Sequence, residues 1–370
     1  MSEIRMAEVS DHLYSKAAAR RIPISGTFEL TPLCNFACRM CYVRKTPEQV
    51  KAHDRNMLDF DDWLRIAREG REQGLLFLLL TGGEPLLWPR FWELYEKLVD
   101  MGMLVAINTN GSLIDGEAIE RFKRRPPRRV NITLYGGCDG TYARLCGVKG
   151  VFDRVDRAVR GLKEAGIPVK LNCSLTPHNA ADLEAITAYA KEMGLRLDLA
   201  TYMFPPIRRD PDAIGVNDRF TPEETARYRV RGMELLQGQE AANSFLDRVR
   251  RGCAEPPGLE EGCYDPIDGR VRCRAGSASF WITWDGFLTA CGMMPKPRVE
   301  LTGRAFADAW QALADETAAL RLSGVCGRCE NRELCHPCAA MAAAETGTAS
   351  GVPQYLCHVA KALRRMADGI

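Results

Sequence analysis

A chain of 370 residues, 46% hydrophobic and 26% charged, is long enough to bury a large core in one domain or two unequal ones. Its formal net charge of +2, with both signs interspersed, supplies no basic face for nucleic acid and no polybasic patch for a membrane. Met1 to Arg20 lacks the pattern of a signal peptide, and the longest apolar run, Leu75 to Leu80, is too short to span a bilayer, so a cytoplasmic protein acting on a small molecule or a peptide is expected.

Residues 1–23 read as an N-terminal extension. From 24 to 204, short β-rich runs alternate with amphipathic stretches, the pattern of repeated βα units around a parallel sheet. Six strands are predicted: Ser25 to Thr31, Leu75 to Leu80, Leu104 to Thr109, Arg129 to Leu134, Val169 to Leu175 and Arg196 to Tyr202. Between them Phe60 to Glu72, Phe91 to Met101 and Phe152 to Ala165 carry apolar residues at helical intervals and read as outer helices. The expected fold class is α/β, a partial (β/α)6 barrel of TIM type with a small Cys-rich C-terminal domain. Residues 205–251 read as a helical bridge, opened by a turn with Pro205, Pro206, Arg208 and Arg209. Residues 252–370 are rich in Cys and Gly, with a hairpin from Phe280 to Trp284, a turn at Asp285-Gly286 and a return from Phe287 to Ala290, and suggest a domain stapled by metal.

In a βα barrel the chemistry is built from loops at the carboxyl ends of the strands. Here the first strand runs into Cys34, Cys38 and Cys41, the second into Thr81-Gly82-Gly83-Glu84-Pro85 and the third into Asn110-Gly111. The fourth ends in Tyr135-Gly136-Gly137, and the fifth carries Ser174. One rim collects the candidate site.

Fifteen cysteines in a reducing compartment point to metal, catalysis or burial before disulfides. Cys138, Cys146, Cys173, Cys253 and Cys263 read singly as small buried apolar side chains. Cys34-x3-Cys38-x2-Cys41 presents three thiolates on one tight loop, enough for three corners of a four-iron cluster with one iron left open. Zinc is the alternative, yet closed zinc sites take four ligands and no His or Asp lies between Cys34 and Arg44. In Cys326-x2-Cys329-x5-Cys335-x2-Cys338 the two Cys-x2-Cys pairs invite a zinc ribbon, but ribbons separate their pairs by about fifteen to twenty residues. Iron–sulfur ligation suits this spacing better.

The first triad, followed by Tyr42, resembles the C-x3-C-x2-C signature of the radical S-adenosylmethionine (SAM) superfamily. Thr81, Gly82, Gly83 and Glu84 resemble its glycine-glycine-glutamate-proline motif, whose backbone and carboxylate take the methionine amino group. Asn110 resembles the loop after the third strand, while Ser174 and Arg144 resemble positions that reach the ribose or the methionine carboxylate. The resemblance covers about residues 24 to 204. It implies a cluster whose open iron chelates SAM, reductive cleavage to methionine and a 5′-deoxyadenosyl radical, and abstraction of hydrogen from a substrate.

The C-terminal third resembles the SPASM domain, which carries auxiliary four-iron clusters. Cys273, Gly286 and Cys291 match its opening, and Cys326, Cys329, Cys335, Cys338 and Cys357 its later cysteines, with two residues between Cys335 and Cys338 where the pattern has three. The resemblance implies an outer cluster on Cys326, Cys329, Cys335 and Cys357, and an inner one on Cys273, Cys291 and Cys338 whose fourth position is open or filled by Cys253 or Cys263. Three [4Fe-4S] clusters and SAM are thus the implied cofactors. The implied reaction is modification of a peptide or protein, by crosslinking or oxidation, with a flavodoxin or ferredoxin as reductant and either a separate leader-binding protein as a partner or a leaderless substrate. Gly292 stands where sulfatase-maturing relatives place an aspartate, which argues against formylglycine formation. A small-molecule or heme-type substrate is the alternative within this architecture; a zinc-binding or electron-transfer protein is the alternative outside it.

Overall fold

Local chemistry stops one element and starts the next along the barrel. Asp59 and Asp62 form a capping box at the head of the Phe60–Glu72 helix, Asp115 accepts from Ala118 N to open Gly116–Arg124, and Thr221 and Glu224 cap Pro222–Gln237. The first of these helices turns Trp63, Leu64, Ile66 and Ala67 inward at helical spacing. This is a computed structural model, in which the described residues are 3–252, 269–271 and 273–369.

The strands are β1 (Ser25–Glu29), β2 (Phe77–Thr81), β3 (Leu104–Thr109), β4 (Arg129–Thr133), β5 (Val169–Ser174), β6 (Leu197–Ala200), β7 (Ser279–Ile282), β8 (Phe287–Thr289) and β9 (Arg298–Glu300). They form one sheet in the order β6-β5-β4-β3-β2-β1-β7-β8-β9, parallel from β6 to β7 and antiparallel beyond. The six barrel strands stand where the sequence places them, with ends that differ by two residues at most. The result is an α/β partial barrel of TIM type with a Cys-rich C-terminal region.

Pairing of β7 with β1, Ser279 opposite Ser25 and Ile282 opposite Phe28, joins the C-terminal third directly to the barrel sheet. Gly26 makes room for this: a Cβ there would stand 2.4 Å from the Phe280 ring. Along the strands Phe28, Leu78, Leu80, Ile107, Val130, Ile132 and Leu171 join the helices in one core, each contributing about 1.5–3 kcal/mol by burial. The alternate positions face the barrel interior, where polar Thr27, Asn108, Asn131 and Asn172 stand beside apolar Leu79 and Ala106.

A second core lies where Pro222–Gln237 and Gln239–Arg250 meet the C-terminal helix Gln354–Asp368 around Phe245, Val249, Val359 and Leu363. The predicted bridge therefore packs on the last helix of the chain. Arg219 and Glu345 form a buried ion pair, and the Tyr202 hydroxyl donates to Glu345 at 2.6 Å, which ties the end of the barrel to the Ala339–Thr346 helix. Among the described residues no helix is long and apolar enough to cross a membrane.

Candidate active site

Beyond β1 the chain enters the loop of Cys34, Cys38 and Cys41, and three neighbouring segments hold it. From the β2 loop Gly83 N donates to Thr31 O at 2.6 Å and Glu84 N to Leu33 O at 2.9 Å. That approach is why both glycines are needed: a Cβ on Gly82 would stand 2.5 Å from Thr31 O, and one on Gly83 2.3 Å from Leu33 O. After β3, Asn110 Nδ2 donates to Asn35 Oδ1 at 2.8 Å while Asn35 Nδ2 donates to Ser112 Oγ at 2.9 Å. On the far side Ala37 N and Arg39 N donate to Cys146 O and Leu145 O at the end of the Asp139–Cys146 helix.

Cys34, Cys38, Cys41, Tyr42, Thr81, Gly82, Gly83, Asn110 and Ser174 all line one cavity of about 380 Å³. Its remaining walls are mostly apolar or aromatic, Phe36, Met40, Tyr135, Met203 and Met293 among them. Two sequence candidates lie elsewhere. Arg144 is exposed on its helix, where Nη2 donates to Thr141 Oγ1 at 2.9 Å. Glu84 is fully buried behind the rim, so the main chain of Gly82 and Gly83 faces the cavity and the carboxylate does not.

The cysteine sulfurs are prepared for negative charge. Phe36 N donates to Cys34 Sγ at 3.4 Å, and Arg44 N to Cys41 Sγ at 3.3 Å. Burial nevertheless pushes the Cys34 thiol up to about 12 and raises Cys41. Hydrogen bonds from the Cys146 thiol and the Tyr135 hydroxyl lower Cys38. Thiolates this far from water are costly unless a cationic centre sits among them, which is the condition an iron–sulfur cluster meets. The residues present thus fit such a group. Among the described residues no three His, Cys, Asp or Glu side chains converge on a point suited to a single metal ion.

Glu84 acts through the loops it joins. Its carboxylate accepts from Thr109 Oγ1 and Asn110 N, both at 2.8 Å, and from Leu86 N at 3.2 Å, stapling the β2 loop to the β3 loop. Desolvation outweighs these neutral donors and lifts its pKa from 4.5 to about 7. The folded state therefore holds this proton where the unfolded chain has lost it, so stability falls as pH rises from about 4.5 to about 7. For the apo-protein the fall attributable to this group is about 3 kcal/mol. Urea titrations at pH 5 and pH 8 check it: Glu84→Gln is expected to remove this part of the difference, and an unchanged difference would refute the assignment.

Of the C-terminal cysteines, Cys326, Cys329, Cys335 and Cys357 lie close enough to shift one another electrostatically; burial followed by Cys357, Cys326 and Cys329 pushes Cys335 up to about 12. Cys291 is raised by burial and by nearby Cys273, and their sulfurs accept Met293 N and Ala275 N respectively, each at 3.5 Å. Cys338 caps the Ala339–Thr346 helix, its sulfur accepting Met341 N at 3.3 Å. Cys253 and Cys263 lie outside the described residues.

Three features escape a sequence reading. Cys146, expected as bland filling, lies against Cys38, and Cys138, expected to be buried, is exposed; neither spacing carries a signal. Glu29, the last residue of β1, is fully buried and takes both guanidinium nitrogens of Arg208, at 2.7 and 2.9 Å, together with Trp281 Nε1 at 2.9 Å. A buried carboxylate on a barrel strand announces a partner but does not identify it.

A parallel α/β barrel whose carboxyl-end loops gather three thiols, one buried and two half-buried, and a double-glycine turn around one cavity defines a cofactor-dependent barrel enzyme. Residues 28–190 match the Radical SAM superfamily. The chain is an enzyme whose residues 28–190, the stretch that carries the cysteine loop, the double glycine and Asn110, form a radical SAM domain. It is 26% identical over 333 residues to the AdoMet-dependent heme synthase of Methanosarcina barkeri, covering 86% of this chain and 92% of that protein. It is 24% identical over 290 residues to the sporulation killing factor maturation protein SkfB of Bacillus subtilis, covering 78% of this chain and 64% of that one. Its fold is similar to that of Streptococcus suis SuiB bound to precursor peptide SuiA, with a TM-score of 0.68 and 16% identity over 96% of this chain and 82% of that one.

Proposed function

We propose that this radical SAM enzyme carries a SPASM-type C-terminal region and abstracts hydrogen from a residue of a peptide or protein substrate in the cytoplasm. The observation that carries the reading is the single cavity on which Cys34, Cys38, Cys41, the Gly82-Gly83 main chain, Asn110 and Ser174 converge. When bound, the cluster and SAM supply the electron and the 5′-deoxyadenosyl radical that takes the hydrogen. The three cysteines hold that cluster, Gly82 and Gly83 offer main-chain groups to the methionine amino group, and Asn110 and Ser174 offer polar side chains to the rest of the cofactor. The apolar walls keep water from the radical.

The mutual proximity of Cys326, Cys329, Cys335 and Cys357 supports an outer auxiliary cluster, and that of Cys273 and Cys291 an inner one, for which the resemblance supplies Cys338 as a third ligand. Residues 24–204, 205–251 and 252–370 are the corresponding barrel, bridge and auxiliary regions, and a flavodoxin or ferredoxin is the natural electron donor.

The similarity to a heme synthase favours a second reading, a porphyrin-type substrate. Deuterium decides between them. The iron-loaded, dithionite-reduced chain is supplied with SAM and either a side-chain-deuterated peptide or a deuterated iron-porphyrin precursor. Deuterated 5′-deoxyadenosine is expected from the peptide; its appearance only with the porphyrin would refute the first reading.

A further inference from the structure

Among the described residues the parallel sheet has an open edge at β6, beside a second cavity of about 600 Å³. The six consecutive residues from Leu197 to Tyr202 all line that cavity. Successive side chains on a strand point to opposite faces, so a wall made of consecutive residues is the main-chain edge itself. The printed pairing agrees: Leu171 N donates to Arg196 O and Leu175 N to Ala200 O, so Arg196, Asp198 and Ala200 turn their main-chain groups to β5. Leu197 and Leu199 turn theirs the other way, toward the cavity.

An exposed strand edge is usually blunted by charge or by a covering element, because it is a ready template for another strand. The opposite edge, β9, follows this rule, being three residues long with exposed Arg298 and Glu300. At β6 the facing wall is instead mostly apolar, with Met233, Leu236, Leu356 and Val359 from the two-helix bridge and the C-terminal helix, and Arg229 and Cys335 beside them. Gly232 lets the Pro222–Gln237 helix close on Leu199, since a Cβ there would stand 2.3 Å from Leu199 Cδ2. The slot so formed leads to the chemistry, because Ala200, Tyr202 and Phe204 line both this cavity and the central one.

We infer that the substrate peptide docks as an added strand along β6, its main chain bonded to Leu197 and Leu199 and its reactive side chain turned past Ala200 and Tyr202 into the central cavity. This rests on the peptide reading above. Main-chain bonding supplies affinity without regard to sequence, while the apolar slot selects a segment with alternate hydrophobic residues.

The probe is a ten-residue peptide selected from a randomised display library against the iron-loaded chain with SAM bound, and retained only if the chain turns it over with deuterium transfer to 5′-deoxyadenosine. Each of its amides is N-methylated in turn. The expected result is a two-residue alternation in the apparent KM, rising about tenfold or more at each amide that faces β6 and little at those between. Binding should also slow amide hydrogen exchange at Leu199 in the wild-type chain. Leu199→Pro, which removes an edge donor but no bond to β5, should raise KM about tenfold, with thermal denaturation confirming that it folds. Turnover without alternation overturns the docking and leaves the peptide reading standing. No peptide turned over at all overturns both. A dimer in sedimentation that Leu199→Pro abolishes means that β6 pairs with a second copy, and overturns the docking also.

Discussion

Replacing Cys34, Cys38 and Cys41 together by Ala is expected to reduce 5′-deoxyadenosine formation from SAM and dithionite to the level of the protein-free control. No partial activity is expected, because the reaction has no other route to the radical. The same variant should lose the iron of one cluster and keep that bound by the C-terminal cysteines, which lie on separate elements around the second core and beyond β7. Iron analysis and electron paramagnetic resonance of anaerobically purified protein read this directly. Full retention of iron, or residual 5′-deoxyadenosine above background, would show that the triad does not hold the reactive cluster. The variant should remain folded, since the loop is anchored mainly through main-chain and asparagine hydrogen bonds that no cysteine side chain makes: Gly83 N to Thr31 O, Ala37 N to Cys146 O and Asn110 Nδ2 to Asn35 Oδ1.

The second large effect is one of stability. Arg208→Met leaves Glu29 fully buried with Trp281 Nε1 as its remaining partner of the two, and loses the bond from Arg208 Nη1 to Gly292 O at 2.9 Å. Breaking a buried pair from one side costs about 3–5 kcal/mol, because the surviving charge has neither water nor its counter-ion. Chemical denaturation should register that loss. Glu29→Gln combined with Arg208→Met should recover most of it, since no uncompensated charge then remains. An unchanged midpoint in the single variant would mean that water reaches Glu29. The pair also bears on the site: it joins the end of β1 to the residue after Cys291, and the Arg208 guanidinium lies 5.8 Å from the Tyr42 ring centroid. A softened pair should therefore loosen the cysteine loop and the Cys291 turn together.

The barrel strands were legible because their signal is local. A parallel strand covered by helices reads as a short β-branched or leucine-rich run, and Phe77–Thr81 and Leu104–Thr109 carry it plainly. The same is true of the cysteine loop and the double glycine, where chemistry is written in spacing and in the absence of a side chain. Glu84 is different. A carboxylate beside two glycines on a site rim suggests contact with a ligand, yet both of its oxygens are taken by Thr109, Asn110 and Leu86. Arg144 is similar, since its number in the chain gives no hint that Thr141 holds it outward.

What the sequence determined by itself is therefore the repeating βα frame and the reactive rim, because periodicity, turn residues and thiol spacing act over a few residues. What only the tertiary structure decided is how distant segments share an environment. β7 beside β1, Arg208 on Glu29, Cys146 against Cys38 and the open edge of β6 all depend on segments far apart in the chain being desolvated together. Burial of that kind sets which charges need partners and which thiols gain donors, and no local pattern encodes it.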